Sequence, residues 1–296
     1  YHLTSESITK KVRKLPESGI FTDRNTAVVC SVNLKERALI MEALKENDIV
    51  GLISEEGRKW FVKLEKKHFS THEGLVDLQD IIGKTPGDFV ITNTNQKLYF
   101  FLPSLEELLL YYVKRSTQII YPKDAGYLIL KLGIKQGMKI LEVGTGSGAM
   151  TLILSYFAGS GGKVYTYEAR EEFSKKAKNL IEQMQFSDRV VFYTKNIEDG
   201  IEEREFDCAV IDLKEPENYL GDIVECLSYG AVFGIVVPTT NQVSNVIRIC
   251  ETLPVINLEV CEILFRKYRI NPERLRPFDV MVGHTAYLIT GRKIKK

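Results

Sequence analysis

The amino-acid sequence predicts an α/β protein in which a small β domain precedes a Rossmann-like domain with a mostly parallel sheet. Short alternating apolar runs, broken by glycine and proline, occupy the segment from Asp48 to Leu102 and are typical of a small barrel or sandwich. Beyond Lys135, apolar runs of strand length alternate with helical runs, and a glycine-rich turn joins the first such strand to the first such helix. This alternation predicts a parallel sheet with helices on both faces.

Length and composition agree with this prediction. The chain has 296 residues, which is enough for one full α/β domain and a smaller companion, and its 44% hydrophobic and 27% charged residues are typical of a globular protein. The longest apolar runs, such as Ala231 to Pro238, are shorter than the ~20 residues that span a bilayer, and no leader segment is recognisable. We therefore expect a cytoplasmic or nuclear protein with no membrane contact. The five cysteines show no C-x-x-C spacing, so neither a zinc site nor a disulfide framework is expected.

The chain divides into three predicted segments. Residues 1–45 form an N-terminal extension to which the sequence assigns no role, with a possible strand at Thr26–Val32 and a helix at Leu34–Lys45. Residues 46–104 form the small β-barrel-like domain, and residues 105–296 form the Rossmann-like domain.

Individual elements follow from local patterns. Ser104, followed by two glutamates and an apolar run, predicts a capped helix that connects the two domains. The extended runs Val255–Arg266 and Asp279–Thr290 have no helix-length gap between them and predict an antiparallel pair at one edge of the sheet. The alternating strands and helices before them are predicted at Met138–Val143, Ala149–Phe157, Lys163–Glu168, Glu171–Met184, Val190–Tyr193 and Asp207–Leu213.

A glycine-rich turn supplies the first evidence about chemistry. Gly144, Gly146 and Gly148 follow an apolar strand and lead into a helix, so the backbone can turn tightly and approach a ligand at a helix N-terminus. This arrangement predicts a nucleotide-type cofactor. Gly144, Gly146 and Ala149 also fit the dinucleotide-binding fingerprint, and Glu168 after the next strand could accept ribose hydroxyls from either type of cofactor.

Further features favour a methyltransferase over a dehydrogenase. Glu142 lies two residues before the first glycine, an acid, Asp212, follows the fourth strand, and the late strand pair is typical of class I methyltransferases. No catalytic histidine or lysine motif for a nicotinamide cofactor is recognisable. The predicted cofactor is S-adenosylmethionine, and the transfer requires no metal.

Several segments resemble the tRNA (adenine-N1-)-methyltransferase family that acts at position 58. The similarity runs from about Asp48 to Arg292. Its strings are Gln118-Ile-Ile-Tyr-Pro-Lys-Asp124, Tyr167-Glu-Ala-Arg170, Ile211-Asp-Leu-Lys-Glu-Pro216, Pro238-Thr-Thr-Asn-Gln242, Arg274-Leu-Arg-Pro277 and Val282-Gly-His-Thr-Ala-Tyr287. The resemblance implies a small β domain joined to a Rossmann-like domain, tRNA as substrate, and assembly as a homotetramer or as a two-subunit tetramer.

The resemblance also implies roles for individual residues. The cofactor would be bound by Gln118, Glu142, the glycine loop including Ser147, the ribose-binding Glu168, Asn196 and Asp212. Tyr121 and Asp212 would line the pocket of the adenine that is methylated. The family commonly has Asp where this chain has Asn196, and its acidic motif usually reads Asp-Leu-Pro-Glu-Pro-Trp, whereas Lys214 and Glu217 stand here in place of the first Pro and the Trp.

Methylation of adenine N1 makes the base cationic, which suggests catalytic roles. A carboxylate hydrogen-bonded to the exocyclic amine would stabilise the developing charge, and Asp212 is the candidate. Tyr121 could stack on a base that has swung out of the tRNA. N1 carries no proton to remove, so His284 is expected to fix the edge strands or the pocket floor rather than to act as a base.

Charge distribution bears on the substrate. The net charge is only +1, but Glu259–Lys296 contains nine Lys or Arg against four acids. This excess fits either a solvated C-terminus or RNA binding. Candidate phosphate contacts are Lys114, Arg115, Lys123, Arg274, Arg276 and Arg292. The alternatives are a methyltransferase for another RNA, a protein or a small molecule, and a tRNA-holding subunit of a heteromeric enzyme.

Overall fold

A computed structural model describes residues 43–113 and 119–295 of the chain. The predicted strand Thr26–Val32 lies outside the described residues, as does the predicted helix Leu34–Lys45 except for residues 43–45, which are not helical. The described cysteines are free thiols, and Cys208, Cys226 and Cys250 are buried. Among the described helices, none combines the length and the apolar character needed to cross a bilayer.

The small β domain contains a four-stranded antiparallel sheet with strand order β2-β1-β6-β5, and a separate hairpin of β3 and β4. Alternation along β1 and β6 points Val50, Leu52, Leu98 and Phe100 into its core, where each is fully buried. Its strands are β1 (Ile49–Ser54), β2 (Lys59–Lys63), β3 (His68–Thr71), β4 (Gly74–Asp77), β5 (Phe89–Ile91) and β6 (Lys97–Phe101).

The predicted capped connection is confirmed. The Ser104 hydroxyl accepts from the Glu107 amide at 3.2 Å and the Glu107 carboxylate accepts from the Ser104 amide at 3.1 Å, which is a complete capping box. The helix α1 (Leu105–Glu107) continues as a π-helical turn, Leu108–Tyr112. The Tyr111 ring in this turn stacks on Phe61 of β2 with ring centroids 5.3 Å apart.

The Rossmann-like domain has a seven-stranded sheet with strand order β12-β15-β11-β10-β7-β8-β9. Strand β15 is antiparallel to both of its neighbours, β12 and β11, so the predicted antiparallel pair at one edge is confirmed. Buried residues of α2, α3 and α4 form the core on one face, and those of α5 and α6 form the core on the other. The elements are α2 (Pro122–Lys131), β7 (Lys139–Val143), α3 (Ala149–Ala158), β8 (Lys163–Tyr167), α4 (Glu171–Gln183), β9 (Val190–Tyr193), β10 (Phe206–Ile211), α5 (Leu220–Cys226), β11 (Leu227–Val237), α6 (Thr240–Cys250), β12 (Val255–Cys261), β13 (Tyr268–Arg269), β14 (Arg276–Pro277) and β15 (Tyr287–Lys293).

The predicted bounds of the late strands were wrong. Strand β12 ends at Cys261 rather than Arg266, and β15 begins at Tyr287 rather than near Asp279. The reason is the length of the partner strand. Strand β11 ends at Val237, which pairs with Tyr287, so beyond this point the sheet offers no further partner. The chain between the two strands, residues 262–286, leaves the sheet and contains the short antiparallel pair of β13 and β14.

Candidate functional site

The site lies where three parallel strands end at the same edge of the sheet. Strands β7, β8 and β10 end at Val143, Tyr167 and Ile211, and the residues that follow them are Gly144, Glu168 and Asp212. Ligands of open α/β sheets bind at this carboxyl edge. The predicted cofactor residues at the ends of these strands are therefore brought together by the topology.

The glycine loop needs glycine at each of its three positions. Gly144, Gly146 and Gly148 have φ values of +97°, +53° and +81°, in the left-handed region that favours glycine. A Cβ on Gly144 would lie 2.1 Å from the carbonyl oxygen of Asp212. The loop therefore packs directly against the end of β10.

Glu168 is held by several hydrogen bonds at the end of β8. One carboxylate oxygen accepts from the Gly146 amide at 2.9 Å, and the other accepts from the Arg170 amide at 3.1 Å. The Arg170 guanidinium also contacts both oxygens, at 2.7 and 3.2 Å. Burial alone would raise the pKa of Glu168, but the hydrogen bonds from Arg170 and Gly146 outweigh it and hold the pKa below its ordinary value.

A cleft of about 390 Å³ connects these groups. Its walls include Gly144, Glu168, Asn196 and Asp212, four of the predicted cofactor residues. Asn196 is exposed and precedes the short 3₁₀ helix Ile197–Asp199 without capping it. The carboxamide is therefore available to a ligand in the cleft.

Asp212 stands at the junction of two cavities. It lines the cleft just described, and it also lines a second cavity of about 200 Å³ together with Tyr121. More than a third of Asp212 is accessible, but because it lies within a concavity the surrounding protein displaces much of its hydration. This enclosure raises the pKa of its carboxyl to about 6, an effect that Arg170 opposes and Glu168 reinforces.

Tyr121 precedes helix α2 and forms part of the wall between two cavities. It is half-buried and lines both the cavity that contains Asp212 and a larger cleft of about 820 Å³. Pro122 is the first residue of α2, and its fixed φ suits the start of a helix. Tyr121 is therefore held at the position just before the helix. The structure thus brings Tyr121 and Asp212 to one cavity. That this cavity receives the adenine stays a prediction.

Lys123 has partners that the sequence does not indicate. Its ammonium donates to Asp124 at 2.7 Å and to the Thr285 hydroxyl at 2.5 Å, and that hydroxyl donates to the second Asp124 oxygen at 2.7 Å. Asp124 is only 1% exposed, so it needs such a counter-charge. Lys123 lines the 820 Å³ cleft, but a phosphate bound there would compete with the buried Asp124 carboxylate for the Lys123 ammonium.

The surroundings of His284 favour a structural role. Its Nδ1 lies 2.7 Å from a Glu262 carboxylate oxygen and its Nε2 lies 2.9 Å from the Pro238 carbonyl oxygen. Both partners are acceptors, so both ring nitrogens donate when the ring is protonated. The hydrogen bonds to Glu262 and Pro238 raise the pKa of His284 accordingly. Its neighbours are the segments that follow β12 and β11, the edge strands it was expected to fix.

The remaining predicted residues lie away from the cleft walls or outside the described residues. Glu142 is 1% exposed below the loop, where it accepts a hydrogen bond from Thr151 at 2.6 Å, and burial raises its pKa to about 8. Ser147 is buried within the loop. Arg276 is paired with Asp279 at 2.8 Å, and Arg274 is exposed nearby. Gln118 and Arg115, like Lys114, fall in the segment that the structure leaves undescribed.

Sequence reasoning missed three residues that shape the site. Arg170 pairs with Glu168, while Asp124 and Thr285 hold Lys123. All three belong to the strings that carry the family resemblance, which was the one signal available. No local pattern could have shown the contact of Asp124 with Thr285, because 161 positions separate them.

The arrangement suits a cofactor that carries a positive charge next to a nucleoside. At neutral pH the cleft presents an ionised Glu168 and a largely ionised Asp212, while the buried Glu142 is mostly protonated. A sulfonium is favoured near such carboxylates. Glu168 could accept from ribose hydroxyls in place of the exposed Arg170 guanidinium, and the left-handed glycine loop leaves room for close approach of the ligand. S-adenosylmethionine fits these residues. In the described ranges, no three His, Cys, Asp or Glu side chains are grouped so as to hold a metal ion.

Comparison with known proteins agrees with the geometry. Residues 97–287 match the family model described as the tRNA methyltransferase complex GCD14 subunit. A tRNA (adenine(58)-N(1))-methyltransferase of Thermus thermophilus is 32% identical over 228 residues, covering 77% of this chain and 89% of the relative. A Methanocaldococcus jannaschii enzyme named for adenines 57 and 58 is 28% identical, covering 81% and 93%.

Solved structures of related proteins have the same fold. The tRNA (m1A58) methyltransferase TrmI of Aquifex aeolicus superposes with a TM-score of 0.74 at 38% identity, covering 86% of this chain and 100% of that one. A Thermotoga maritima protein described as a SAM-dependent O-methyltransferase has a TM-score of 0.81 at 41% identity, covering 86% and 96%. The chain therefore belongs to the GCD14 family of S-adenosylmethionine-dependent tRNA (adenine-N1)-methyltransferases.

Proposed function

We propose that this protein methylates N1 of adenine 58 in the T-loop of tRNA, and that it also acts on the neighbouring adenine 57 where that base is accessible. One observation carries the proposal: Asp212 lines both the cofactor cleft and the adjoining cavity of about 200 Å³ that contains Tyr121. A group bound in one cavity would therefore meet a group bound in the other at this carboxylate. The names of the Thermus and Methanocaldococcus relatives support the choice of base.

The side chains have separable tasks in this mechanism. Bound S-adenosylmethionine supplies the methyl group, which moves from sulfur to the lone pair of N1 and leaves the base cationic. Asp212 accepts a hydrogen bond from the exocyclic amine and stabilises the positive charge that develops on the ring. Tyr121 packs against the displaced base. Glu168, the glycine loop and Asn196 orient the cofactor, and Gln118 is proposed to join them.

A hydroxyl acceptor is the second candidate, because the Thermotoga maritima relative is described as an O-methyltransferase. Asp212, with its pKa raised to about 6, would then take the proton of the hydroxyl. The two candidates place the methyl group on different atoms of the product.

We propose a homotetramer, with assembly through residues 262–286. This segment exposes an unusual number of apolar side chains beside the 820 Å³ cleft, and such patches mark protein–protein contacts. A heterotetramer with a related subunit is the alternative, since a Candida albicans relative, 26% identical over 231 residues, is named as a catalytic subunit. The exposed apolar residues are Leu264, Phe265, Tyr268, Ile270, Leu275, Phe278, Val280, Met281 and Val282.

With tRNA as substrate, we place the enzyme in the cytoplasm, or in the nucleus of a eukaryote.

The cofactor site is tested by Glu168→Ala and Gly146→Val. The first removes the ribose acceptor, and the second places a β-branched residue at a φ of +53°. Each should raise the Kd for S-adenosylhomocysteine at least about tenfold in calorimetry, since a hydrogen bond to a charged group contributes roughly 1.5–3 kcal/mol. Glu172→Ala, an exposed acid on α4, is the matched control. Unchanged affinity in both site variants would refute the assignment.

The chemical role of Asp212 is tested by Asp212→Asn. The amide keeps the shape but removes the negative charge, so single-turnover methylation of transcript tRNA should slow by on the order of 10²–10³ with little change in either Kd. The product is digested to nucleosides, and the wild-type protein should yield 1-methyladenosine at position 58. Methyl groups on ribose oxygens, or none on tRNA, would reject the proposed acceptor. Near-normal turnover of the variant would reject the proposed role of Asp212 but not the proposed acceptor.

The raised pKa of Asp212 predicts a pH dependence. The ionised carboxylate is the active form, so kcat/KM for tRNA should rise as pH increases through about 6 and then level off. The Asp212→Asn variant should lose this rise while keeping the low residual rate. An acidic limb that persists unchanged in the variant would assign the titration to another group.

Phosphate contacts on residues 262–286 predict a salt dependence. Arg274 is exposed and Arg276 is half-buried, and the surface pair of Arg276 with Asp279 contributes only ~0–1 kcal/mol, so both guanidinium groups can reach RNA. Changing both to Ala should reduce the slope of log Kd for tRNA against log salt concentration. The slope should fall by roughly 0.7–0.9 for each phosphate that the protein no longer neutralises. The double variant of Lys175 and Lys176, exposed on α4, is the control. Equal slopes in both double variants would contradict the prediction.

A further inference from the structure

We propose that Gln242 and Asn245, on helix α6, are positioning residues that hold the loop carrying Asp212. The inference rests on the role proposed above for Asp212. It is carried by two side-chain hydrogen bonds from α6 to residues 214 and 217, which follow Asp212 in the chain.

The loop is fixed by the sheet at its beginning only. The Asp212 amide donates to the Val143 carbonyl at 2.8 Å, and the Asp212 carbonyl packs against Gly144. Strand β10 has already ended at Ile211, so no ladder pairing continues beyond this point. The direction of the chain after Asp212 therefore depends on contacts from outside the sheet.

Gln242 supplies the first of these contacts. Its Nε2 donates to the Lys214 carbonyl oxygen at 2.6 Å, two residues after Asp212. Its Oε1 accepts from the Thr239 hydroxyl at 2.7 Å, and Thr239 is the N-cap of α6. Because the amide is bonded at both ends, it is held in one orientation against the loop.

Asn245 supplies the second contact, one turn further along the same face of the helix. Its Nδ2 donates to Glu217 Oε1 at 2.9 Å, and its Oδ1 accepts from Arg248 at 3.3 Å. The other oxygen of Glu217 is buried with no hydrogen-bond partner in the part of the chain that the structure describes. A carboxylate enclosed in this way depends on the hydrogen bond that it does make.

Both contacts fall at positions where this chain departs from the usual family motif. Proline, which the family usually has at position 214, restricts the backbone by itself, and tryptophan, usual at position 217, would anchor the loop by packing. Lys214 and Glu217 do neither. In this chain Gln242, which belongs to one of the family strings, bonds the Lys214 carbonyl, and Asn245 bonds the Glu217 carboxylate that stands in place of the tryptophan. The direction of the Asp212 carboxylate therefore depends on α6.

The test exchanges the amide and the carboxylate of the half-buried pair of Asn245 and Glu217. Asn245→Asp sets two carboxylates at hydrogen-bond distance, while Arg248 keeps an acceptor, so the loop should move and kcat for tRNA methylation should fall by about tenfold or more. The Kd for S-adenosylhomocysteine and the KM for tRNA should stay within about twofold of wild type. Combining Asn245→Asp with Glu217→Gln restores an amide–carboxylate bond with the roles exchanged, and kcat should return to within about threefold of wild type.

Controls separate a local effect from a general one. Asn257→Asp alters an exposed amide–glutamate pair on β12, where Asn257 contacts Glu259 at 3.2 Å, and should leave kcat unchanged. Gln242→Leu removes the donor to Lys214 without adding charge, so it should lower kcat even if Asn245→Asp fails to fold. The inference is overturned if Gln242→Leu retains wild-type turnover, or if a folded Asn245→Asp variant is not rescued by the exchange. If Asp212→Asn, measured in parallel, is fully active, the proposed function of Asp212 fails first.

Discussion

The close approach of the ends of β7 and β10 is the constraint on which the site depends. Parallel pairing aligns Ile211 with Val143, and the next residues, Asp212 and Gly144, then come so close that the Asp212 carbonyl occupies the place of a side chain on Gly144. Glycine at 144 thus serves two purposes. It permits the left-handed turn of the loop, and it lets Asp212, the acid proposed to act on the acceptor, lie next to the loop proposed to hold the cofactor.

Three carboxyl groups at this edge differ in charge because their surroundings differ. Glu142 is buried below the loop, and its pKa is raised to about 8, so it is mostly protonated at neutral pH. Glu168 is almost as inaccessible, but hydrogen bonds from the Gly146 amide and from Arg170 keep it ionised. Asp212 lies between these extremes, open to both cavities, and its pKa is raised to about 6. Burial and hydrogen bonding, rather than residue type, give the three groups different charges at neutral pH.

Most of the architecture could be predicted because it follows from local patterns. The period of the apolar residues predicted the alternation of strands and helices, and glycine spacing predicted the cofactor turn. The predicted strand bounds were wrong where a strand ends because its partner strand ends, as at Cys261. The length of the partner cannot be inferred from the sequence of the strand itself. Strand β11 and helices α2 and α6 were not predicted, although α6 holds the loop that follows Asp212.

The sequence by itself determined the glycine loop, the order of most strands and helices, and the presence of an acid directly after two strands, at Glu168 and Asp212. Only the tertiary structure decided which charges are neutralised. Lys123, expected at a phosphate, is bonded to buried Asp124 and to Thr285, which lies 162 positions away, while both nitrogens of His284 are occupied by acceptors from distant segments. The physical reason is that side-chain chemistry fixes what a group can do, whereas its protonation and availability depend on neighbours that folding brings from elsewhere in the chain.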